Sequence, residues 1–271
     1  MELGIRGRTA LITGASQGIG LAIASGLARE GVHIALLGRN ADRLAEAARS
    51  LGAENDVLVE CVVADVADTD SVQRGIDALA AKAGFDELNI LVHNAGVPAT
   101  RPDRPLIWED AAWREVVEVK TLGALRIVRA ALPMMAKDGT GRIINVTGAT
   151  GVAVLKPGLL HGSANAALLQ ATGYLAADLA EDRINVNAIV PGLVGTEGRR
   201  LWLKGLADTM GKTPDEMLAS FCKDIGIITR RWAETSEVAD MVTFLASDRA
   251  QYINGAKIPV DGGLALNTRG R

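Results

Sequence analysis

Two parts of this sequence carry residue types and spacings that could support chemistry. The first is the run of residues 13–20, TGASQGIG, which directly follows the apolar residues Ala10, Leu11 and Ile12. Glycines in a turn between a buried strand and a helix let the backbone approach a phosphate closely, and the helix N-terminus adds free N–H groups and partial positive charge. The spacing Gly-x-x-x-Gly-x-Gly at this place therefore predicts a phosphate-binding turn.

The second part consists of two ionisable side chains nearer the middle of the chain, His161 and Lys120. Histidine has an ordinary pKa of about 6.5 and can act as an acid or a base near neutral pH. If Lys120 lies near His161, its charge should lower the pKa of the imidazole, and partial burial should lower the pKa of Lys120 itself. Alternatively, His161 is only a polar residue at the start of a helix, and Lys120 is a surface lysine with a buried aliphatic stem.

The composition of the 271-residue chain limits the classes of protein to which it can belong. Apolar residues make up 48% and aromatic residues 3% of it, as is typical of parallel strands covered by alanine-rich helices. The net charge of −3 gives no indication of a nucleic-acid or membrane partner. Cys61 and Cys222 form neither a disulfide framework nor a metal site, and we expect Cys61 to be a reduced core residue. Without a signal-peptide pattern or a long apolar run, the chain is predicted to be a soluble, cytoplasmic protein.

The elements that must position these residues alternate between strand-like and helix-like segments. Predicted strands cover residues 8–13, 32–37, 57–64, 88–92, 142–146, 184–190 and 257–260, and predicted helices cover residues 18–30, 41–51, 69–83, 113–136, 163–181 and 236–247. This order predicts an α/β fold with a doubly wound parallel sheet, a three-layer Rossmann fold, in a single domain of residues 1–271. Residues 196–231 interrupt the order, and we interpret them as a helical lid over a ligand; the alternative is a surface excursion with its own small core.

The glycine spacing resembles that of the short-chain dehydrogenase/reductase family, and four more motifs follow in the family's order over residues 5–265. They are Asp65-Val66, Asn94-Ala95-Gly96, the turn of residues 191–196 and Asp261-Gly262-Gly263. The resemblance implies a nicotinamide dinucleotide and a small-molecule substrate, in a homodimer or homotetramer. The implied cofactor-binding residues are Gly14, Ser16, Gln17, Gly18, Ile19, Gly20, Arg39, Asn40, Asp65, Val66, Asn94, Ala95, Gly96, Asn165, Pro191, Gly192, Val194 and Thr196.

The end of the second predicted strand distinguishes between the two nicotinamide dinucleotides. An acidic residue there would bind the ribose 2′-hydroxyl of NAD(H) and repel a 2′-phosphate. This chain has Gly38 and Arg39 instead, and a guanidinium suits a phosphate. The pattern predicts NADP(H) rather than NAD(H), although Arg39 alone would also be explained as a solvated residue before a helix.

The resemblance also implies catalytic positions, and this chain carries other residues there. The family uses a Tyr-x-x-x-Lys pair, a serine and an asparagine, whereas neither tyrosine of this chain, Tyr174 or Tyr252, has a lysine four residues later. By the family's motifs and their thirteen-residue spacing, the serine, tyrosine, lysine and asparagine positions hold Gly148, His161, Asn165 and Lys120. We predict that His161, Lys120 and Asn165 have catalytic roles, with Asn165 still able to bond ribose hydroxyls. Thr147 is expected to face away from the site because neighbouring strand residues point to opposite faces.

Three functions remain open on the sequence alone. The first is an NADP(H)-dependent oxidoreductase that transfers hydride to or from an apolar carbonyl, alcohol or enone with a non-standard proton donor. The second is a non-redox enzyme, such as an isomerase, cyclase or decarboxylase, with Lys120 as base or Schiff-base residue. The third is a catalytically silent NADP(H)-binding protein. An apolar substrate is favoured by the residues expected around the site, Val152, Val154, Leu155, Trp202 and Met210, while Arg199 and Arg200 either meet an acidic group or are solvated.

Overall fold

Seven parallel strands form the centre of the molecule. A computed structural model describes residues 2–97, 109–155 and 158–267 of the chain. The strands are β1 (Thr9–Thr13), β2 (His33–Gly38), β3 (Val59–Val63), β4 (Ile90–His93), β5 (Arg142–Val146), β6 (Asn185–Pro191) and β7 (Lys257–Val260). They pair in the order β3-β2-β1-β4-β5-β6-β7. The strand order reverses between β1 and β4, and such a reversal opens a crevice beyond the carboxyl ends of the strands.

Helices cover both faces of this sheet and complete the predicted doubly wound α/β fold. They are α1 (Gly18–Arg29), α2 (Ala41–Glu54), α3 (Thr69–Ala80), α4 (Asp110–Val117), α5 (Gly123–Ala131), α6 (Leu159–Asp178), α7 (Glu197–Met210), α8 (Pro214–Asp224), α9 (Thr235–Ala246) and α10 (Leu264–Asn267). A π-helical segment, Glu118–Leu122, joins α4 to α5. Within the described ranges, no helix combines the length and apolar character that a membrane span requires, and no cluster of three or more His, Cys, Asp or Glu side chains is suited to a metal ion.

The strands at the centre of the sheet are apolar on both faces because each face is covered. Ile12 and Ile34 pack with α1 and α9 in one core cluster, whereas Leu11 and Leu91 pack with α3 and α5 in a second cluster on the other face. Every residue of β1 is buried. Unbroken apolar runs of this kind are characteristic of parallel strands buried on both faces.

The sequence prediction differs from the structure at a few elements. Cys61 is exposed rather than a core residue, because β3 is an edge strand of the sheet. Helix α2 continues through Gly52, where the sequence predicted its end; a side chain at that position would contact nothing within 4 Å. Helix α6 begins at Leu159, four residues before the predicted start, so His161 lies in its first turn. The long helix predicted for residues 113–136 is α4, the π-helical segment, α5 and a terminal 3₁₀ turn.

Candidate functional site

The turn between β1 and α1 requires glycine at several positions. Gly14 and Gly18 have φ of +64° and +58°, in the left-handed region that favours glycine. A Cβ on Gly20 would lie 2.2 Å from the Gly14 carbonyl oxygen, and a Cβ on Gly14 would lie 3.0 Å from the Cα of Ala95. Helix α1 has no side-chain cap, so the N–H groups of its first turn are available to a ligand. This cradle fits the pyrophosphate of a dinucleotide; Ser16 and Ile19 of the same turn are partly exposed.

Asn94 and Ala95, which follow β4, hold this turn in place. The backbone N–H groups of both residues donate to the Thr13 hydroxyl at 3.0 Å. The Asn94 amide also donates to the carbonyl oxygens of Thr13 and Gly14 at 3.2 Å. The side chain of Asn94 therefore shapes the phosphate-binding turn, while Gly96 beside it is exposed.

The carboxyl end of β2 presents cations on the side where the adenosine ribose is expected. Gly38 ends the strand, and the Arg39 side chain is 75% exposed with its guanidinium 3.8 Å from Asp65. Asn40 caps α2 by accepting from the N–H of Arg43 at 2.9 Å. A 2′-phosphate beyond Gly38 would meet Arg39 and the N-terminus of α2. Val66, which follows Asp65 in the motif after β3, is 5% exposed.

Arg43 is a residue at this place that the sequence motifs missed. Its guanidinium donates to the Oε1 atom of Gln17, in the glycine-rich turn, at 3.1 Å. Arg39 precedes α2 and Arg43 lies in its first turn, so two guanidinium groups lie close to the N-terminus of this helix. The sequence does show a second arginine in the first turn of the predicted helix, but it does not show that this arginine contacts Gln17, which belongs to the preceding β-α unit.

The segment after β6 connects the cofactor turn to the C-terminal motif. The Gly192 N–H donates to the Val260 carbonyl oxygen at 3.0 Å, and a Cβ on Gly192 would lie 2.8 Å from the Cα of Asp261. Thr196 is the N-cap residue of α7, and its methyl carbon would lie 3.5 Å from a Cβ on Gly18. The segment thus reaches the glycine-rich turn. Pro191 and Val194, also predicted to be cofactor-binding residues, are buried.

Asn165 lies on α6 beside Gly148, where its side chain contacts Thr150. Its side chain is 7% exposed, and its amide donates to the Thr150 hydroxyl at 3.0 Å. A Cβ on Gly148 would lie 2.8 Å from the same amide nitrogen, so Asn165 fills the space beside Gly148. Its Oδ1 atom is buried without a partner among the described residues. The Thr147 hydroxyl donates to the carbonyl oxygen of Ile189, in the neighbouring strand β6, at 2.8 Å.

Lys120 lies in the π-helical segment, between the ends of two strands and the start of α6. Its ammonium donates to the carbonyl oxygen of Val146, the last residue of β5, at 2.6 Å. A Cβ on Gly96, after β4, would lie 3.6 Å from its Nζ atom. The Thr121 hydroxyl donates to the Ala164 carbonyl oxygen of α6 at 3.1 Å. Single π-helical turns within α-helices are frequent at functional sites, and this one directs a lysine into the crevice.

The pKa values of Lys120 and His161 shift in the directions that the sequence predicted. Burial lowers the pKa of Lys120 to about 8. Burial also lowers the pKa of His161, and the nearby charge of Lys120 lowers it further. His161 is partly exposed in the first turn of α6. At neutral pH, Lys120 is therefore mostly protonated and His161 is mostly neutral.

His93 is a second imidazole near Lys120, at the end of β4. It is fully buried, and its Nδ1 atom lies 3.2 Å from the Thr13 hydroxyl. That hydroxyl already accepts from two backbone N–H groups, so it donates to Nδ1, and the imidazole proton lies on Nε2. Burial and, to a smaller extent, the charge of Lys120 lower the pKa of His93 to about 3. His93 therefore stays neutral and supports the turn.

Residues 196–231 form two helices that pack on the carboxyl side of the sheet. Leu203 of α7 and Met217 of α8 join a core cluster with Ala149 and Val190, while Trp202 of α7 contacts Phe221 of α8 at 5.6 Å between ring centroids. Of the residues expected to line an apolar pocket, Leu155 packs against this cluster. The others are largely exposed, namely Val152, Val154, Trp202 and Met210.

A family model and the sequences of known proteins match almost the whole chain. A family described as enoyl-(acyl carrier protein) reductase matches residues 14–265. Oxidoreductase UcpA of Salmonella typhimurium is 35% identical over 268 residues, which cover 97% of this chain and 96% of that protein. The 3-oxoacyl-[acyl-carrier-protein] reductase FabG of Staphylococcus aureus is 32% identical, with 96% of this chain and 98% of that protein covered.

A solved structure shares the fold over its full length. L-sorbose reductase of Gluconobacter frateurii, in complex with NADPH and L-sorbose, superposes with a TM-score of 0.91 and 36% sequence identity. The superposition covers 98% of this chain and 99% of that one. The bound NADPH of this relative agrees with the cofactor that Gly38 and Arg39 predicted.

Proposed function

The chain belongs to the short-chain dehydrogenase/reductase family, and we propose that Lys120 serves as its proton donor in the reduction of an apolar carbonyl substrate. It is an oxidoreductase of this family that binds NADP(H). The cofactor, when bound, supplies or accepts the hydride. The residues of the chain must then position the substrate oxygen and deliver or remove one proton.

The observation that carries the proposal is the state of the Lys120 side chain. Its ammonium is partly buried at the carboxyl end of β5 and, among the residues that the structure describes, bonds one acceptor, the Val146 carbonyl oxygen. An ammonium has three N–H donors, so two remain for a substrate oxygen and a water molecule. With a pKa of about 8, Lys120 is protonated at neutral pH and still acidic enough to release a proton to a developing alkoxide.

His161 completes the proposed path for the proton. Because its pKa is lowered, it is neutral at the pH at which Lys120 is charged. A neutral imidazole at the partly exposed start of α6 can transfer a proton between solvent and Lys120. In this proposal Asn165 is a positioning residue, since its amide is bonded to Thr150. Residues 196–231 act as the lid that excludes water from the site.

The pH dependence of the reduction tests the role of Lys120. An acid catalyst works in its protonated form, so kcat/KM for reduction should be constant below pH 8 and fall tenfold per pH unit well above it. In the direction of alcohol oxidation the neutral amine is needed, and the rate should rise through the same pH. Lys120→Met should lower kcat/KM for reduction by about 10²- to 10⁴-fold and abolish this pH dependence.

The exposed Lys223 of α8 provides the control, because Lys223→Met also removes one ammonium but leaves the crevice intact. NADPH oxidation should be followed with a panel of ketones, quinones and enones. A Lys120→Met enzyme with the wild-type rate and pH profile would contradict the proposal, whereas binding of NADPH by this variant would show that the fold is preserved.

A non-redox function through the same lysine is the second candidate. A lowered pKa also favours a nucleophilic amine, which condenses with a carbonyl to form an imine and release water. Borohydride would reduce that imine to a stable amine on Lys120, detectable as a mass increase of the corresponding peptide. Trapping without any NADPH oxidation would favour this candidate over hydride transfer.

A further inference from the structure

Two adjacent arginines begin the lid helix α7, and only one of them has a partner within the protein. The Arg200 guanidinium donates to both carboxylate oxygens of Glu234, at 2.7 and 2.6 Å, and to the Gly195 carbonyl oxygen at 2.9 Å. The Arg199 guanidinium makes no hydrogen bond or ion pair with any residue in the described ranges. Although the two arginines are neighbours in the sequence, Arg200 has a carboxylate partner and Arg199 has none among the described residues.

Arg199 lies on the face of α7 that turns toward the protein. Residues four and eight positions later lie on the same side of a helix, and these are Leu203 and Ala207, which are 4% and 0% exposed. Both pack in the cluster that contains Ala149 and Val190, at the carboxyl side of β5 and β6. Arg199 thus extends this buried face toward the start of the helix, three residues after Thr196.

The surroundings of Arg199 favour an anion. Its side chain is partly buried, and burial lowers the pKa of its guanidinium. An arginine nevertheless keeps its charge in proteins, and a desolvated charge without a counterion is unfavourable. Lys120, the ionisable group at the reacting end of the crevice, is also cationic at neutral pH. The described part of the site therefore offers two cations, and Arg199 lacks a described acidic partner.

We propose that Arg199 binds an oxyanion carried by the substrate, so that the substrate class is a carbonyl compound with an apolar body and a carboxylate or phosphate. A guanidinium forms paired, parallel hydrogen bonds with either group. The lid would close over this anion, and Lys120 would face the carbonyl oxygen. This inference rests on the proposed function, because it assigns a substrate class to the same site.

Matched pairs of compounds test the inference. Oxo acids should be compared with their methyl esters, and phosphorylated ketones with the corresponding hydroxyketones, as substrates of NADPH-dependent reduction. We expect the wild-type protein to have a KM at least about tenfold lower for one anionic series than for its neutral partner. The series that shows this preference identifies the oxyanion as carboxylate or phosphate.

Three variants connect this preference to Arg199. Arg199→Gln should raise the KM of the anionic compound to that of its neutral partner with little change in kcat, and Arg199→Lys should retain part of the preference. Lys204→Gln is the matched control, because Lys204 is an exposed cation of the same helix. It should leave the preference unchanged.

Binding measurements separate this inference from the proposed function. Calorimetric titration of the NADPH complex with the reduced hydroxy acids or phosphate esters needs no turnover. Binding that Arg199→Gln weakens would support the inference even if no compound were reduced, in which case only the proposed function would fail. Equal binding of anionic and neutral compounds by the wild-type protein would overturn the inference, whether or not reduction occurs.

Two other partners of Arg199 predict different results. If it binds a phosphate of the cofactor, Arg199→Gln should weaken NADPH binding severalfold, whereas we expect no change. If it pairs with Asp103, which lies outside the described residues, Asp103→Asn and Arg199→Gln should destabilise the protein equally and non-additively, without any preference for anionic substrates. Either result would overturn the inference.

Discussion

At the level of single residues, Gly148 and Asn165 behave as a coupled pair. The Asn165 amide nitrogen stands 2.8 Å from the place that a Gly148 Cβ would occupy, and Gly151 also approaches Asn165 closely, since a Cβ on Gly151 would lie 2.9 Å from the Asn165 Cβ. The backbone of Gly148 is extended, so a side chain there would meet no conformational strain. It would instead crowd the Asn165 amide, so a serine at position 148 requires the Asn165 side chain to move or to be replaced.

A double-mutant cycle should reveal this coupling. Gly148→Ser alone should lower the free energy of unfolding by about 1–3 kcal/mol through overpacking. In the Asn165→Ala background, the same serine should be neutral, giving an interaction energy of at least about 1 kcal/mol. Gly173→Ala is the control, since a methyl at that position in α6 meets nothing within 4 Å and should stabilise the helix slightly. Additive effects in urea unfolding would contradict the coupling.

At the level of elements, helices α7 and α8, which we propose to form a lid, are held in place by different contacts. Helix α7 is tied to the start of α9 by the paired hydrogen bonds of Arg200 and Glu234. Helix α8 begins with a complete capping box, in which Thr213 accepts from the Glu216 N–H and Glu216 accepts from the Thr213 N–H. Pro214 follows the cap, where its fixed φ suits the first turn. The cap should therefore control local opening of α8 separately from the sheet.

Thr213→Ala should loosen α8 without unfolding the rest of the molecule. Loss of a threonine cap costs about 1 kcal/mol, which corresponds to about fivefold faster amide hydrogen exchange in α8. Exchange in β1, β4 and β5 should not change. Thr209→Ala is the matched control, because the Thr209 hydroxyl only bonds the Gly205 carbonyl oxygen within α7, a type of bond that does not stabilise helices. Equal acceleration of exchange throughout the sheet would show that α8 does not open independently.

At the level of the whole molecule, cofactor binding should increase the stability of the fold, because the cofactor contacts turns that follow several strands of the sheet. The glycine-rich turn, the motif after β4 and the segment after β6 all approach the same crevice, so a ligand that joins them stabilises only the folded state. NADPH adds a 2′-phosphate that can meet Arg39 and Arg43 near the N-terminus of α2. The preference between cofactors should therefore appear as a difference in global stability.

NADPH should raise the melting temperature more than NADH does. At a free concentration of about 100 times its Kd, a ligand stabilises the folded protein by about 2.7 kcal/mol. For a chain of this size, that raises the melting temperature by several degrees. Arg43→Gln should reduce the shift with NADPH but not with NADH, while Arg49→Gln, an exposed residue of the same helix, should change neither. A larger shift with NADH would contradict the NADP(H) preference, and an unchanged shift in Arg43→Gln would exclude this arginine from the 2′-phosphate site.

The order of the elements and the fold were determined by the sequence itself. Apolar runs of four to eight residues alternating with helical segments leave few arrangements other than a doubly wound sheet, because parallel strands need a crossover helix. Strands β5 and β7 have the predicted bounds. The glycine motifs were also readable, because the turn geometry that favours glycine is a property of neighbouring residues in the chain, and Gly14 and Gly18 do have positive φ.

The tertiary structure decided which side chains meet. The sequence predicted that Cys61 is a core residue, but it is exposed because β3 is an edge strand. The contact between the Asn165 amide and Thr150 was likewise not predictable from the sequence. The pKa of Lys120 depends on burial between β4, β5 and α6, and that of His161 depends on the charge of Lys120. Such properties arise from contacts between segments far apart in the chain, which no local pattern specifies. For that reason the sequence identified the dinucleotide frame, while the structure was needed to propose how a proton and an anionic substrate are handled.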